Sequence, residues 1–560
     1  MQQRRRILLM LGVMIIAAFF RFWQITETPP GLYPDEAMNG TNAQEAIRTG
    51  DYKIFYPENN GREGMFMNIQ SLSLRAFGNE PWALRIVSAI FGLLTVLGIY
   101  FLTRELFQNS ETTALLSAFF LATSYWHINF SRIGFRAITV PFLLVWAFYF
   151  LYRMIRALRE GGDKSNLPEL FALLGGVFFG AGFHTYIAYR VSPLLLLPPF
   201  LRGFVLYRKN LLKKCFPCTF ILFLFAAFIT ALPIGYYFLQ NPQDFLGRTS
   251  QVSVFASENP LWDLVRNTGL TIGMFFWHGD FNWRHNLSGE PQLWWPVGVF
   301  FIIGLVVIIK RIFTANEWGG SNIVTRFIKN LFLTSEGFLL IWLKLLAIPV
   351  VITNEGLPHA LRAIGMIPPI MIITALGCAW VFKAIKSFVI RNKERYPSHE
   401  GQVVRIGREL SIFMVIILIL VAHNTFSSYF LLWASNPNTH DAFTSTYTDI
   451  GRHLRTLPDE ASKYVIVNAG GVDVRGLPMP AQPVMFMMGE GIASRNVPTP
   501  KHVTYILPED VERIVLSPNG PTYIAMLDSD GPFRKMLMER FPNINFEPIV
   551  GSTFIGIIEQ

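Results

Sequence analysis

Charge is what this chain has least of. Of its 560 residues only 15% are charged while 51% are hydrophobic, where soluble domains carry about 25% charged residues. That deficit excludes a large water-soluble body and points to a bilayer. Cysteine is nearly absent too, with only Cys215, Cys218 and Cys378. Three cysteines make no disulfide framework. The C-x-x-C of Cys215 and Cys218 opens an apolar run outside any redox-domain context, so it reads as membrane packing. Internal repeats and low-complexity tracts are lacking as well, which weighs against an inverted-repeat transporter. A net charge of +10 would suit nucleic acid, but the basic residues gather at the ends of apolar runs, at 4–6, 153–159, 208–214 and 383–395. That is the positive-inside pattern of cytoplasmic loops, and no nucleic-acid partner is expected.

What is present is a series of apolar runs suited to a hydrocarbon core of about 30 Å. They fall near 7–25, 82–103, 112–129, 135–157, 168–186, 191–207, 216–239, 296–313, 337–353, 361–385 and 409–434. The first has a basic tip and no small-residue cleavage site behind it, so a retained helix with a cytoplasmic amino end is expected. About eleven transmembrane helices follow from this reading. Starting inside, four of the five expected cytoplasmic segments are strongly basic, including 208-RKNLLKK and 383-KAIKSFVIRNKER. The carboxyl terminus then lies outside, in a cell or plasma membrane.

Two external loops are long, 26–81 and 240–295, and the first holds helix-like stretches near 36–48 and 65–77 with a periodicity suited to the membrane surface. After residue 435 the composition changes. Runs such as YVIVN, VMFMM, VTYIL, TYIAML and FIGII read as strands, and 448-TDIGRHLRTL, 509-EDVERIVLS and 533-FRKMLMERF as helices. The expected division is a transmembrane domain over 1–435 and a small extracytoplasmic α/β domain over 436–560.

Ionisable residues at the outer helix ends carry the chemistry, because topology is served by the inner basic loops. Asp35 and Glu36 follow Pro34 at a helix start, where carboxylates favour the dipole. Alternatively one of them accepts a proton from an attacking hydroxyl or amine. Neighbours on a helix diverge by about 100°, so the two would do different work. Arg62 and Glu63 read either as a cap and surface pair or as a phosphate ligand and a metal- or acceptor-binding carboxylate. In 126-WHINFSRIGFRA, Arg132 and Arg136 would share one face if helical, snorkelling to lipid or holding a phosphate between them. His184, Tyr186 and Arg190 end the next span on the same side. In 277-WHGDFNWRHNLSGEPQLWW an interfacial belt accounts for the tryptophans but not for His278, Asp280, Arg284 and His285. Sugar-ring stacking or a weak His–carboxylate metal signal accounts for those. Glu355, His359 and Arg362 lead into the 361–385 run, where a cation at a helix start suggests a facing anion. All five clusters are expected at one membrane face. Three N-x-S/T triplets, at Asn39, Asn129 and Asn286, do not establish glycosylation.

With Asp35–Glu36 early in the first external loop, and with HINFSRIGFRA, GFHTYIAYRVSPLLLLPPF, GDFNWRHNLSGEPQL and LPHALRAIGMIPP in order behind it, residues 5–435 resemble a known family. These are the polyprenyl-phosphate-sugar-dependent membrane glycosyltransferases of GT-C fold. The likeness is to the dolichyl-phosphate-mannose–protein mannosyltransferase family and its bacterial relatives, including the aminoarabinose transferase that modifies lipid A. The resemblance implies transfer of a sugar from a lipid phosphate to a protein, lipid or glycan acceptor at the outer face, generally with inversion. It implies Asp35 as general base or acceptor-orienting group and Glu36 in support. It also implies Glu63 at a divalent metal, with His278 or His285 as partner ligand. Arg132, Arg136, Arg190 and Arg362 are the expected donor-phosphate residues, from their charge. Arg62, His184, Tyr186, Asp280, Arg284 and His359 are those expected at the acceptor or sugar. The chain departs from the family where many members have His-Pro-Pro and it has 62-REGMF, and where several carry a second acid and it has 132-RIGFR. The rival class is a transporter or flippase for a lipid-linked sugar, which would place its ionisable groups near the midplane. The tail lacks the Trp-Trp-Asp-Tyr-Gly motif of oligosaccharyltransferases.

Overall fold

The computed structural model describes every residue except 1, 109, 162–164, 252–253, 321, 354–355, 519, 529–530, 551–552 and 560. The chain forms two compact units. One, the helical unit, comprises Met1–Trp23, Ala89–Ser131 and Arg136–Leu432. The other, the α/β unit, joins the first loop to the tail through Gln24–Ser88, Arg132–Phe135 and Trp433–Gln560.

Seven described helices are long and apolar enough to cross a membrane: Pro81–Leu106, Arg136–Glu160, Leu167–His184, Phe216–Gln240, Trp295–Thr314, Ile364–Arg395 and Pro397–Trp433. Ile323–Leu333 with Ser335–Val351, bent by 76°, makes an eighth if counted as one span. The difference from eleven has local causes. The run at 7–25 is helical only to Phe22, in a 21-residue helix, Gln2–Phe22, that carries arginines at both ends. The run at 112–129 breaks into Glu111–Ala122 and Tyr125–Arg132, and the run at 191–207 starts as a 3-10 stretch, Ile187–Leu196, around Pro193. Proline removes an N–H and crowds the preceding turn, so an α-helix there is interrupted.

Among the long helices, Ile364–Arg395 is central, its apolar window 83% buried, and Pro397–Trp433 is peripheral at 17%. The central helix crosses Trp295–Thr314 at two glycines. A Cβ on Gly304 would lie 1.9 Å from Ile373 O, and one on Gly377 would lie 2.0 Å from Phe300 O. Backbones approach this closely only where no side chain intervenes. At the start of Phe216–Gln240 the structure pairs Cys215 with Cys218 in a disulfide, which corrects the packing-only reading of the C-x-x-C. The helix start holds the two Cα atoms 5.4 Å apart, a separation that permits the bond.

In the α/β unit the expected first-loop helices are present as Pro34–Thr49 and Met65–Phe77, joined through the short antiparallel pair β1 (Phe55–Tyr56) and β2 (Arg62–Glu63). The first helix is mostly core: 11 of its 16 residues are buried. It packs against Met65–Phe77 and against a tail helix, Gln482–Met488, which covers Gly40 with the Phe486 ring. Thr41 Oγ1 donates to Gln482 Oε1 at 2.7 Å, and Gln44 Nε2 to Phe486 O at 2.8 Å.

That tail helix is the VMFMM run, expected as a strand. Pro483 in its first turn and Gly489 at φ +80° after its end stop it as a helix, and burial on all sides leaves no period to read. The tail sheet contains β3 (Ser462–Ile466), β6 (Val503–Ile506), β7 (Thr522–Met526), β8 (Ile544–Val550) and β9 (Thr553–Ile558) in the order β6-β3-β7-β9-β8. The strands β6, β3 and β7 are parallel, β9 runs antiparallel to β7, and β8 antiparallel to β9. A small hairpin, β4 (Asp473–Val474) and β5 (Leu477–Pro478), stands apart. Strand β8 escapes the sequence reading because it is an edge strand with Pro548 beside its bulge, where a missing N–H is tolerated. Alternation sends Val465, Tyr505 and Ala525 to one face of the sheet, and Ile466, Ile506 and Ile524 to the other. Helices Ser445–Thr456 and Gly531–Arg540 match expectation; the stretch at 509–517 yields only the 3-10 turn Pro508–Arg513.

Candidate active site

The two adjacent acids differ because the helix start turns them apart. Tyr33 is extended, Pro34 opens the helix, and Asp35 and Glu36 occupy its first turn. Glu36 is fully buried. Its Oε1 accepts from Arg85 Nε at 2.9 Å and from Gly134 N–H at 2.8 Å, and its Oε2 accepts from Arg85 Nη2 at 3.1 Å. Arg85 also donates from Nη1 to Pro29 O and from Nη2 to Gly31 O, each at 2.6 Å. A side chain at 134 would strike Glu36, since a Cβ there lies 2.9 Å from Glu36 Cγ. Asp35 is only half-buried, and its Oδ1 accepts from Asn59 Nδ2 at 2.5 Å. Glu36 is therefore committed to the protein, while Asp35 is partly exposed and bonded through Oδ1 alone among the described residues.

Around them the segment 132–135 is fastened on both sides. Asn39 Nδ2 donates to Gly134 O at 3.0 Å, while Arg62 donates to Asn39 Oδ1 at 2.8 Å and to Asn42 Oδ1 at 2.5 Å. Arg132 is fully buried and its Nη2 donates to Thr28 O at 2.9 Å. Glu63 is buried in β2, paired with Phe55 across the two-stranded ladder. Arg132 ends one helix and Arg136 begins a 3-10 turn, so the two do not share a helical face; the chain bends at Ile133–Phe135.

The helical unit brings together the three other clusters. Trp126 Nε1 donates to Ala360 O at 3.0 Å and Asn129 Nδ2 to Arg284 O at 2.8 Å. Asp280 joins the second long loop to the 354–362 segment: its Oδ2 accepts from Ala360 N–H at 2.8 Å and pairs with His285 Nδ1 at 3.0 Å. The His285 and His359 rings stack with centroids 5.0 Å apart, over a cavity of about 150 Å³ lined also by Phe281, Asn282 and Pro358. Asp280, His285 and His359 present ligand atoms all within 4.8 Å of one another, the metal-type group found among the described residues. Glu63 and His278 are not in it; His278 is exposed, its ring against Phe281. Glu355 lies outside the described residues.

The remaining expected residues also sit in the helical unit. Arg136 Nε donates to Thr185 O at 2.9 Å, with its guanidinium 5.6 Å from the Tyr186 ring centroid. His184 Nε2 lies 2.8 Å from Thr230 O. Arg190 donates to Phe245 O at 2.8 Å and lies over that ring, and Arg362 Nη1 donates to Thr353 Oγ1 at 2.9 Å. Arg284 Nε donates to Asn282 Oδ1 at 2.9 Å. Sequence reasoning missed Arg85, Asn59 and Gly134. Arg85, an arginine in the first turns of an apolar run, was the one legible signal. Asn39, Asn129 and Asn286, the three N-x-S/T asparagines, are all buried.

Membrane-length helices in one unit and an acid pair in the other make up a polytopic protein. Residues 65–234 match the family model described as dolichyl-phosphate-mannose-protein mannosyltransferase. The crystal structure of ArnT from Cupriavidus metallidurans in the apo state superposes with a TM-score of 0.56 at 12% identity, over 100% of this chain and 98% of that one. The same protein bound to undecaprenyl phosphate gives 0.54 at 12% identity, over 98% and 97%. Archaeal oligosaccharyltransferase AglB from Archaeoglobus fulgidus, in complex with an inhibitory peptide and a dolichol-phosphate, gives 0.50 at 14% identity, over 100% and 74%. No curated protein matches the sequence. The chain has the GT-C fold of these structures, and over residues 65–234 it is similar to the dolichyl-phosphate-mannose-protein mannosyltransferase family.

Proposed function

We propose that this protein is a membrane glycosyltransferase that moves a sugar from a polyprenyl-phosphate donor to a hydroxyl or amine acceptor at the outer membrane face. One observation carries the reading: of two adjacent acids in the loop where this fold class keeps its acid pair, one is locked and the other is presented. Asp35 takes the acceptor proton as the acceptor atom attacks the anomeric carbon. The bond to the lipid phosphate breaks with its electron pair on the phosphate, and the anomeric centre inverts. Glu36 does not meet substrate; through Arg85 and Gly134 it holds the helix start that aims Asp35. Within the α/β unit Arg132 holds the 132–135 segment and Arg62 braces the Pro34–Thr49 helix. Within the helical unit Arg136, Arg190 and Arg362 supply positive charge for a lipid phosphate, and His184, Tyr186 and Arg284 supply polar groups for a sugar or acceptor. The similar structures with undecaprenyl phosphate or a dolichol-phosphate bound support a lipid-phosphate donor. The test is incubation of the purified protein, in lipid nanodiscs, with radiolabelled polyprenyl-phosphate sugars; transfer or hydrolysis of the label is the expected result, and inertness towards all of them overturns the reading.

A divalent ion belongs to the same proposal. Two imidazoles and a carboxylate converging in the helical unit fit a zinc-like ion. Asp280, His285 and His359 would hold it, and it would polarise a phosphoryl oxygen. The expected result is about one equivalent of Zn²⁺ retained after dialysis, read by elemental mass spectrometry. His285→Ala and His359→Ala should each lose it; retention in both removes the ion from the proposal.

A further inference from the structure

The tail has no role in the chemistry above, and the turn 58-ENNG was passed over in the sequence, yet the two meet inside the α/β unit. Asn59, Asn60 and Gly61 all have positive φ, at +51°, +62° and +79°. Left-handed backbone is unfavourable for residues with a Cβ, asparagine tolerating it best, and three in succession need an outside tether. Gly61 is required for a second reason: a Cβ there would lie 2.6 Å from the Phe55 ring. The turn directs the Asn59 amide onto Asp35 Oδ1, while no hydrogen bond to Asp35 Oδ2 is seen among the described residues.

The tether is Arg475, between the tail strands β4 and β5. Its Nε and Nη2 donate to Glu58 Oε1 at 3.1 and 2.9 Å, and Nη2 also reaches Glu45 Oε1 and Oε2 at 3.1 and 3.0 Å. Glu45 stands on the helix that carries Asp35. One guanidinium thus ties the turn to that helix, a forked contact suited to arginine and not to lysine.

We propose that Asn59 is a positioning residue for Asp35, and that Arg475 of the tail sets it in place by holding the 58–61 turn. This rests on Asp35 as the acceptor-activating carboxylate. The amide pins one carboxylate oxygen and leaves the other facing the acceptor, so the tail is part of the apparatus that orients the reacting group.

The test needs no knowledge of the sugar. Full-length protein in lipid nanodiscs is treated with a water-soluble carbodiimide and glycine ethyl ester, and labelling of Asp35 is followed by peptide mass spectrometry across pH. Asn59→Gly keeps the turn, because glycine takes positive φ freely, but removes the amide. It should raise the Asp35 labelling rate about tenfold, the scale of a lost hydrogen bond to a charged group. Arg475→Gln should do the same, and the double variant should go no further, since both act through one contact. Asn59→Asp should move the Asp35 labelling profile to higher pH by about one unit, because neighbouring carboxylates resist joint ionisation. Unchanged Asp35 labelling in Asn59→Gly, or additive effects in the double variant, overturns the proposal. Labelling of buried Glu36 in Arg475→Gln, which signals general opening of the unit, also counts against it. The underlying reading fails separately, if Asp35→Asn retains turnover.

Discussion

Asp35→Asn is expected to cut sugar transfer sharply while leaving the protein folded. A positioned general base contributes about 10²- to 10⁴-fold, so turnover with a radiolabelled polyprenyl-phosphate sugar should fall by that range. The substitution is conservative in shape, and the asparagine oxygen still accepts from Asn59, whose amide lies 2.5 Å from the native carboxylate. Half-buried and with no ion partner among the described residues, Asp35 contributes little that the amide cannot replace, and the thermal midpoint should stay near that of the parent. Normal turnover in the folded variant removes Asp35 from the reaction. The neighbouring Glu36 gives the contrast, because its substitution acts on folding first.

Arg85→Met has the largest expected effect on stability. Arg85 is 1% exposed and Glu36 0%, and the guanidinium also binds two backbone carbonyls. Removing it strands a buried carboxylate, a loss of about 3–5 kcal/mol. The Gly134 N–H remains but cannot replace a charge. Combining it with Glu36→Gln should return part of the loss, since the uncompensated charge disappears and the two residues act as one unit. Arg85→Lys should fall between, keeping the charge but not the fork onto Glu36 and the 29–31 carbonyls. Thermal unfolding of the four proteins in one detergent ranks them. Arg85→Met as stable as the parent would show that the pair is solvated and that Glu36 is as available as Asp35.

Much of the fold was legible. Long apolar runs with basic inner flanks announce membrane helices because hydrocarbon admits few charges and every backbone group must bond within its own segment. The two first-loop helices and most tail strands followed from period and turn residues. Legibility failed where burial is complete on all sides. The run 484-VMFMM carries no alternation to separate strand from helix, and β8 hides behind Pro548. It also failed where an apolar run is broken by packing, as at Ala122–Tyr125 and around Pro193. The pairing of Cys215 with Cys218 depends on a helix start that composition does not reveal.

For the site, the sequence by itself determined which chemical groups exist and in what order they come: an acid pair after a proline, arginines at helix ends, histidines among tryptophans. Covalent order and helical geometry were enough to say that Asp35 and Glu36 would point apart. They could not say which acid would be locked, because that depends on Arg85, nearly fifty residues on, and on a glycine N–H from the second segment of the unit. Nor could they bring Asp280 and His285 to His359, which stands on a separate loop and joins them through the Ala360 N–H. Only the tertiary structure decided these partners, because a buried charge takes whichever donors the packed backbone brings within reach, and that proximity is not written in sequence spacing.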